Sequence, residues 1–515
     1  MYTFSSRLKT FAIILMVLGF LGIAYGFFMA PKTTADVEAI LEKEAAEHHG
    51  SHAATETHTT TEGTHAEAEG HAAAEGHAEA GHTAAPKVTL VDTIHVDTLA
   101  VASNADTLHE NIVSDDHKTE THTTTTAAHG GAHGGHDAHA DHEKHLVHVL
   151  HQMQNKPWAA LYVACIFIML LSLGALVFYA IQQVAQAGWS PVLFRVMQGI
   201  TSYLPVGSVI FFVLLVLSGM HQNHLFVWMA DGVGEVGHPN YDHLVANKLG
   251  YLNVPFWLGR AALFLIGWSV YQYFSRKNCL LQDDANDNLY YKKNFNISAM
   301  FLVFFIVSES IMSWDWIMSV DPHWYSTLFG WYVFASFFVS GITTITLVTL
   351  YLKSRGFLEY VNTSHIHDLA KFMFGISVFW TYLWFSQFML IWYSNIPEEV
   401  TYFITRIENF NLPFFGMVVM NFVFPVLILI NTDFKRLTWI LVMAGTVILL
   451  GHYVDFFMMI MPATVGDRWF IGVSEIGSLL FFIGLFIIVV FTALTKSPLL
   501  PKRNPLIEES KHFHY

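Results

Sequence analysis

The sequence predicts an all-α polytopic membrane protein of about ten transmembrane helices: two four-helix bundles related as a parallel repeat, plus two peripheral helices. Three observations predict it. The 515 residues are 53% hydrophobic and only 13% charged, which is a membrane composition rather than that of a soluble domain. Ten apolar runs are each long enough to cross a bilayer, which takes roughly 20 residues. The fifth of these runs has an ungapped echo in the ninth.

The runs lie near 11–29, 158–181, 203–220, 254–274, 297–319, 328–352, 371–393, 411–431, 437–461 and 470–494. The first follows Arg7 and Lys9. It is longer than a signal peptide's apolar core, and its Phe-Phe-Met-Ala-Pro end is a poor cleavage site, so it reads as an uncleaved anchor, residues 1–30. Residues 31–156 form an insert with little to bury. Residues 157–324 and 325–468 are the two bundles, and 469–515 hold the last span and a tail. Basic residues set the orientation. With the N-terminus in the cytoplasm, the inside segments hold Arg195, Arg276, Lys277, Lys353, Arg355, Lys435, Arg436, Lys502 and Arg503, while the short outside loops hold only Lys248, Arg406 and Arg468. Both termini are then expected in the cytoplasm, and the insert outside.

The net charge of −15 belongs largely to the insert, and twenty of the 30 histidines lie between His48 and His151. Repeats of Glu-Gly-His-Ala and Gly-Gly-His cannot bury a core. One reading is a solvated linker. The other is a metal-collecting segment, since imidazole binds zinc, copper and nickel. The stretch from Lys87 to Leu108 alternates and is β-prone. His145 to Gln154 reads as a short helix leading into span two at Pro157. Basic residues are nowhere dense enough for nucleic acid. With only Cys165 and Cys279 and no Cys-x-x-Cys-His, the chain attaches no c-type haem and holds no iron–sulfur cluster. No spacing requires a bis-histidine haem.

The echo runs from Asp315 to Pro322 (Asp-Trp-Ile-Met-Ser-Val-Asp-Pro) and from Asp455 to Pro462 (Asp-Phe-Phe-Met-Met-Ile-Met-Pro). The helices that carry it lie four spans apart and therefore run the same way, as a parallel repeat requires. An acid at the centre of a membrane helix costs about 2.5–3.5 kcal/mol even on lenient scales, so such groups mark function or pairing. Glu309 and Asp315 lie about 9 Å apart along one helix and some 120° apart around it. Together with Ser308, Ser310 and Ser313 they form half of a candidate proton path. His452 and Asp455 share a face one turn apart and extend it. Arg260 needs an anion, Asp315 or Asp231. The loop after span three adds His221, His224, Glu235, His238, Asp242 and His243, and the turn after span five adds Asp321 and His323. Glu475 and the Glu398–Glu399 pair read as surface groups.

The segment 313–332 (Ser-Trp-Asp-Trp-Ile-Met-Ser-Val-Asp-Pro-His-Trp-Tyr-Ser-Thr-Leu-Phe-Gly-Trp-Tyr), the run Trp-Tyr-Ser-Asn-Ile-Pro-Glu-Glu from Trp392, and Gly-His-Tyr-Val-Asp-Phe from Gly451 carry a resemblance. With ten spans and no redox centre of its own, the chain resembles the NrfD-like membrane subunits of the polysulfide-reductase family. It is most similar to the second such subunit of bacterial alternative complex III, a quinol:cytochrome c oxidoreductase. The resemblance covers roughly 1–40 and 155–500 and omits the insert. It implies partners: a periplasmic iron–sulfur subunit related to molybdenum enzymes, multihaem and monohaem cytochromes c that carry haem c, a sister NrfD-like subunit, lipid, and in some assemblies a terminal oxidase. It also implies quinol (menaquinol or another quinone) near the outer ends of a bundle, which makes Asp315, His221, Arg260 and Asp231 quinone-site candidates. By position it casts Asp315, His452 and Asp455 as proton-path residues, beside Glu309, which its place in the membrane helix makes a candidate. A metal-ion transporter fed by the histidine-rich segment and a non-catalytic membrane scaffold are the competing classes.

Overall fold

A computed structural model describes residues 2–53 and 134–514, with side chains described for 2–44 and 142–514. Among the described residues every regular element is a helix. Ten are long and apolar enough to cross a membrane: α1 (Ser6–Met29), α2 (His142–Val184), α3 (Pro191–Gly219), α4 (Val254–Gln282), α5 (Leu289–Val320), α6 (Phe329–Ser354), α7 (Thr363–Ser394), α8 (Asn411–Leu429), α9 (Thr438–Val465) and α10 (Val473–Thr495). The chain is an all-α polytopic membrane protein. By its contacts it divides into two units, Met1–Glu42 with Asp141–Tyr515, and Lys43–Ala140. The described part of the second unit is helical, being the end of Thr34–Ala53 and the start of Gly134–Val184. The β-prone stretch 87–108 lies outside the described residues.

One expectation changes at α2. The helix leading into it is not a separate piece, because a single helix runs from Gly134 through Pro157 to Val184. Its preceding turn packs Leu146 and Val149 against Val37 of the Thr34–Ala53 helix.

The neighbour pattern has two-fold character. In the first set α2 touches α3 (Tyr162 on Phe211), α3 lies beside α4, α4 beside α5, and α5 closes on α2 through Tyr162 Oη donating to Trp316 O at 2.8 Å. In the second set α6–α7, α7–α8, α8–α9 and α9–α6 repeat that cycle. The contacts between the sets obey the same symmetry. Helix α5 meets α6, with Gly330 against Ser310, and α9 meets α2, with Tyr453 and Phe456 on Phe167. Helices α2 and α6 cross each other on the axis. Their most apolar stretches are buried almost throughout, as helices at the centre of eight must be. Two glycines set the crossing. A β-carbon at Gly341 would lie 2.6 Å from Ala175 N and 2.7 Å from Gly174 C, so only hydrogen fits, as at close crossings in membranes generally.

Helices α1 and α10 pair with each other through Ala12, Gly19 and Gly22 on one side and Gly477 and Gly484 on the other. Helix α10 then reaches the bundles through Phe486 on Tyr203 and Phe491 on Tyr351. Both described ends of the chain sit on one face, the tail face. Tyr2 packs edge-on to Phe357 at 5.0 Å. Ser510 Oγ donates to Trp189 O, Lys502 N donates to Asp283 Oδ1, and Asn362 Nδ2 donates to Phe513 O. The opposite, loop face carries 220–253, 321–328 and the amphipathic helix Pro397–Asn409.

Gly341→Leu should lower the melting temperature sharply, because overpacking a dense interior costs about 1–3 kcal/mol or more. The control is Gly375→Ala, whose added methyl meets nothing within 4 Å. A thermal melt of purified protein in detergent checks the pair, and equal melts would remove the crossing from its central place.

Candidate functional site

The two matched aspartates are both fully buried, and they are solvated in different ways. Asp315 sits at the loop-face end of α5. Arg260, one and a half turns into α4, clamps it with both prongs: Nε to Oδ2 at 2.6 Å and Nη2 to Oδ1 at 2.9 Å. Trp257 Nε1 and Ser319 Oγ donate to the Asp315 carbonyl at 2.7 and 2.6 Å, and the guanidinium lies over the rings of Tyr251 and Phe256. Of the two anions open to Arg260 on sequence, it takes Asp315. Asp231 and His221 are exposed, and neither bonds to the pair. The four quinone-site candidates are thus not gathered in one place; the structure joins only Arg260 with Asp315.

Among the described residues no lysine or arginine side chain contacts Asp455. It accepts from Tyr332 Oη, from Ser336 Oγ at 2.7 Å and from Trp380 Nε1 at 2.8 Å. His452 does not reach it directly, since Nδ1 stands 3.6 Å away. The Ser336 hydroxyl bridges the two, 2.9 Å from His452 Nδ1. With the Ser336 proton given to the carboxylate, the imidazole Nδ1 is the donor to Ser336 Oγ. The second bundle does contain a buried arginine, one turn beyond. Arg406 of the helix Pro397–Asn409 donates to Met458 O at 3.0 Å and Tyr402 O at 2.8 Å, and stacks on the Tyr402 ring at 3.3 Å. Both bundles therefore place an arginine on a tyrosine at the loop face, but only the first lets it touch the carboxylate. Between Arg406 and Tyr332 lies a cavity of about 10 Å³, also bordered by Gln387, Tyr402 and Met458, enough for roughly one water.

Glu309 is buried, and its hydrogen bonds come from hydroxyls of its own helix: Ser313 at 3.1 Å and Ser310 at 3.3 Å. Toward the tail face the inner side of α5 continues with Ser308, bonded by Trp268 Nε1 at 2.9 Å, then Phe305 and Phe301, then Ser298 bonded to Tyr271 Oη at 2.7 Å. Two polar stretches are thus separated by an aromatic stretch.

Sequence reasoning missed three groups. Tyr332, Ser336 and Trp380 complete the Asp455 cage, and uncharged residues inside apolar runs give no signal of their own. Arg406 was legible only as one charge in an outside loop. The tail-face end of the first bundle holds a buried network: Arg195 pairs with Asp283 at 2.6 Å, and Gln183, Gln198 and Asn294 all donate to Tyr179 Oη. Its amides could have been found by their spacing within apolar helices. One surface assignment is corrected. Glu475 is buried, because it folds back to accept from Gly472 N at 2.9 Å and Ser474 Oγ at 3.0 Å, closing its own helix start. Glu398 is exposed, as expected.

A cavity of about 540 Å³ lies between α3 and α4, lined by apolar groups such as Val209, Phe212, Ile266 and Val270. None of the candidate acids borders it. Among the described residues no three His, Cys, Asp or Glu side chains are grouped to hold a metal, and most of the histidine-rich segment lies outside the described residues. Compared with known proteins, the chain matches no family model and no curated protein.

The outer-loop pair does have a place. His323 Nε2 meets Asp242 Oδ2 at 2.5 Å, and Lys248 Nζ donates to Pro322 O, so residues 242–248 are tied to the turn after α5. Asp321 is half-exposed beside His323.

Two outcomes follow from these ties. Arg260→Met should cost about 3–5 kcal/mol by stranding Asp315, whereas Arg260→Met with Asp315→Leu should recover most of it. Unfolding curves of the two variants decide the matter, and equal losses would mean that the pair is not what fastens α4 to α5. Burial opposes the charge on Asp242, but the His323 imidazole and the backbone N–H groups of Val245 and Leu244 outweigh it and hold its pKa below the usual carboxylate value. Such a carboxylate adds stability above its ordinary pKa of about 3.9, and that stability is lost as pH falls through the lowered value. Hydrogen exchange in 242–248 should therefore rise as pH drops below about 4. Asp242→Asn should abolish the step, and its survival in that variant would exclude Asp242 as the cause.

Proposed function

We propose that the chain is a membrane subunit of a respiratory quinol:cytochrome c oxidoreductase of the alternative complex III type, and that its second bundle carries a proton relay. The observation that carries the relay is the Asp455 cage, a buried carboxylate held by neutral donors with an imidazole one hydroxyl away. A carboxylate without a cation can change charge at little cost to its surroundings, whereas one clamped by guanidinium cannot. In this reading Asp455, Ser336 and His452 pass protons, and Tyr332 with the small cavity beside Arg406 leads toward the loop face. Glu309, whose partners among the described residues are serine hydroxyls, is the first bundle's proton carrier. Asp315 and Arg260 hold that bundle together rather than turning over quinol.

The partners in this reading are those implied by the motif at 313–332: an iron–sulfur subunit, cytochromes carrying haem c, and a sister subunit bearing the quinol site. The chain's own residues supply no redox group. The tail face, with its arginines and lysines, is placed in the cytoplasm and the loop face in the periplasm of a bacterial inner membrane.

Copurification is the test of class: the native particle should contain haem c and iron–sulfur, and a particle holding this chain without them would exclude the complex. For the relay, Asp455→Asn and Glu309→Gln should each lower quinol:cytochrome c turnover of the purified complex by about 10²-fold or more, the range of a positioned proton-transfer group. Turnover and proton release at wild-type levels in both variants would leave the chain as a scaffold.

A further inference from the structure

Among the described residues of the second bundle several buried side chains have a polar atom with no hydrogen-bond partner, and three of them bear on the relay. Asn421 is fully buried, with neither Oδ1 nor Nδ2 bonded. His452 is fully buried, with Nε2 unbonded. Ser377 is fully buried, with Oγ giving its proton to no acceptor. Leaving such a group dry is costly, and protein interiors usually satisfy it with ordered water.

The local fold brings the three to one region. Helix α8 makes a single π turn over Val419–Val423, a distortion often found at functional sites, and that turn packs against both α7 and α9. It directs Asn421 onto α9 at Gly451, where a methyl group would overlap Oδ1. The next residue is His452. Ser377 lies one turn before Trp380 on α7, and the Trp380 ring meets His452 edge-on at 5.3 Å. Because Nδ1 of His452 is already the donor toward Ser336, Nε2 is left as a bare acceptor in the neutral ring. A bare acceptor, an unbonded amide against the preceding residue of its helix, and an unbonded hydroxyl one turn from its ring neighbour together point to a site for one water.

We infer that a bound water molecule, held by the Asn421 amide and the Ser377 hydroxyl, caps His452 Nε2 and gives the relay its second end, away from Asp455. The inference rests on the relay reading above and names its missing member. The proton balance is simple. A proton carried by that water passes to Nε2, the Nδ1 proton passes through Ser336 Oγ to the Asp455 carboxylate, and the ring is left neutral with its tautomer reversed. The π turn and Gly451 are then positioning features: the first turns Asn421 inward, and the second gives its amide room.

The test is a map of the intact particle fine enough to resolve enclosed waters elsewhere in the chain. Density within hydrogen-bonding distance of both Asn421 and His452 Nε2 is expected in the wild type and should be lost in Asn421→Leu. Gly451→Ala, which pushes the amide aside, gives a milder variant with the same expectation. The ¹⁵N signal of His452 Nε2 should move in both variants. Absence of the density in the wild type, or its persistence in either variant, overturns the inference. These readouts do not depend on turnover. A particle without haem partners would defeat the functional reading and leave the water in place, whereas proton-coupled turnover without the water would defeat this inference alone.

Discussion

A carboxylate in hydrocarbon must be solvated by the protein itself, and much of the helix packing here depends on how that is done. Asp315 and Asp455 occupy matched positions, and each is reached by donors from neighbouring helices. Those donors are also the cross-links. Arg260 and Trp257 join α4 to α5, while Tyr332, Ser336 and Trp380 join α6 and α7 to α9. Helices in lipid gain little from burying apolar surface against one another, so polar ties of this kind, together with close glycine contacts, give the bundles their definition.

The two-fold pattern makes the difference between the halves informative. One half neutralises its acid with a guanidinium and becomes a fastening. The other holds its arginine one turn away, against Met458 O and the Tyr402 ring, and surrounds its acid with hydroxyl and indole donors. The same backbone plan thus yields one acid paired with a guanidinium and one held by neutral donors. Glu309 adds a further asymmetry, since its repeat position is Leu449.

Much of this was legible in the sequence. Span number follows from apolar run length, which is a direct constraint of the bilayer, and all ten expected spans coincide with the ten long apolar helices. The Arg260–Asp315 tie was open to deduction because an isolated membrane arginine needs an anion. What sequence could not show is how neutral donors converge. Ser336 and Trp380 look like any other residues of an apolar run until α6, α7 and α9 are brought together. Glu475 was misassigned because its position near a helix start suggested exposure, while its side chain turns inward to cap that start. The π turn at Val419–Val423 has no signature in the sequence at all.

The pairing of α1 with α10 has a consequence for biosynthesis. The glycine stripe of α1 is made well before its match on α10, with the spans α2 to α9 lying between them in the chain. Until then Gly19 and Gly22 present exposed backbone to lipid and to any other passing helix. A small-residue surface of that kind is one on which other helices can pack closely, so the order of synthesis leaves α1 open to other neighbours until α10 is made.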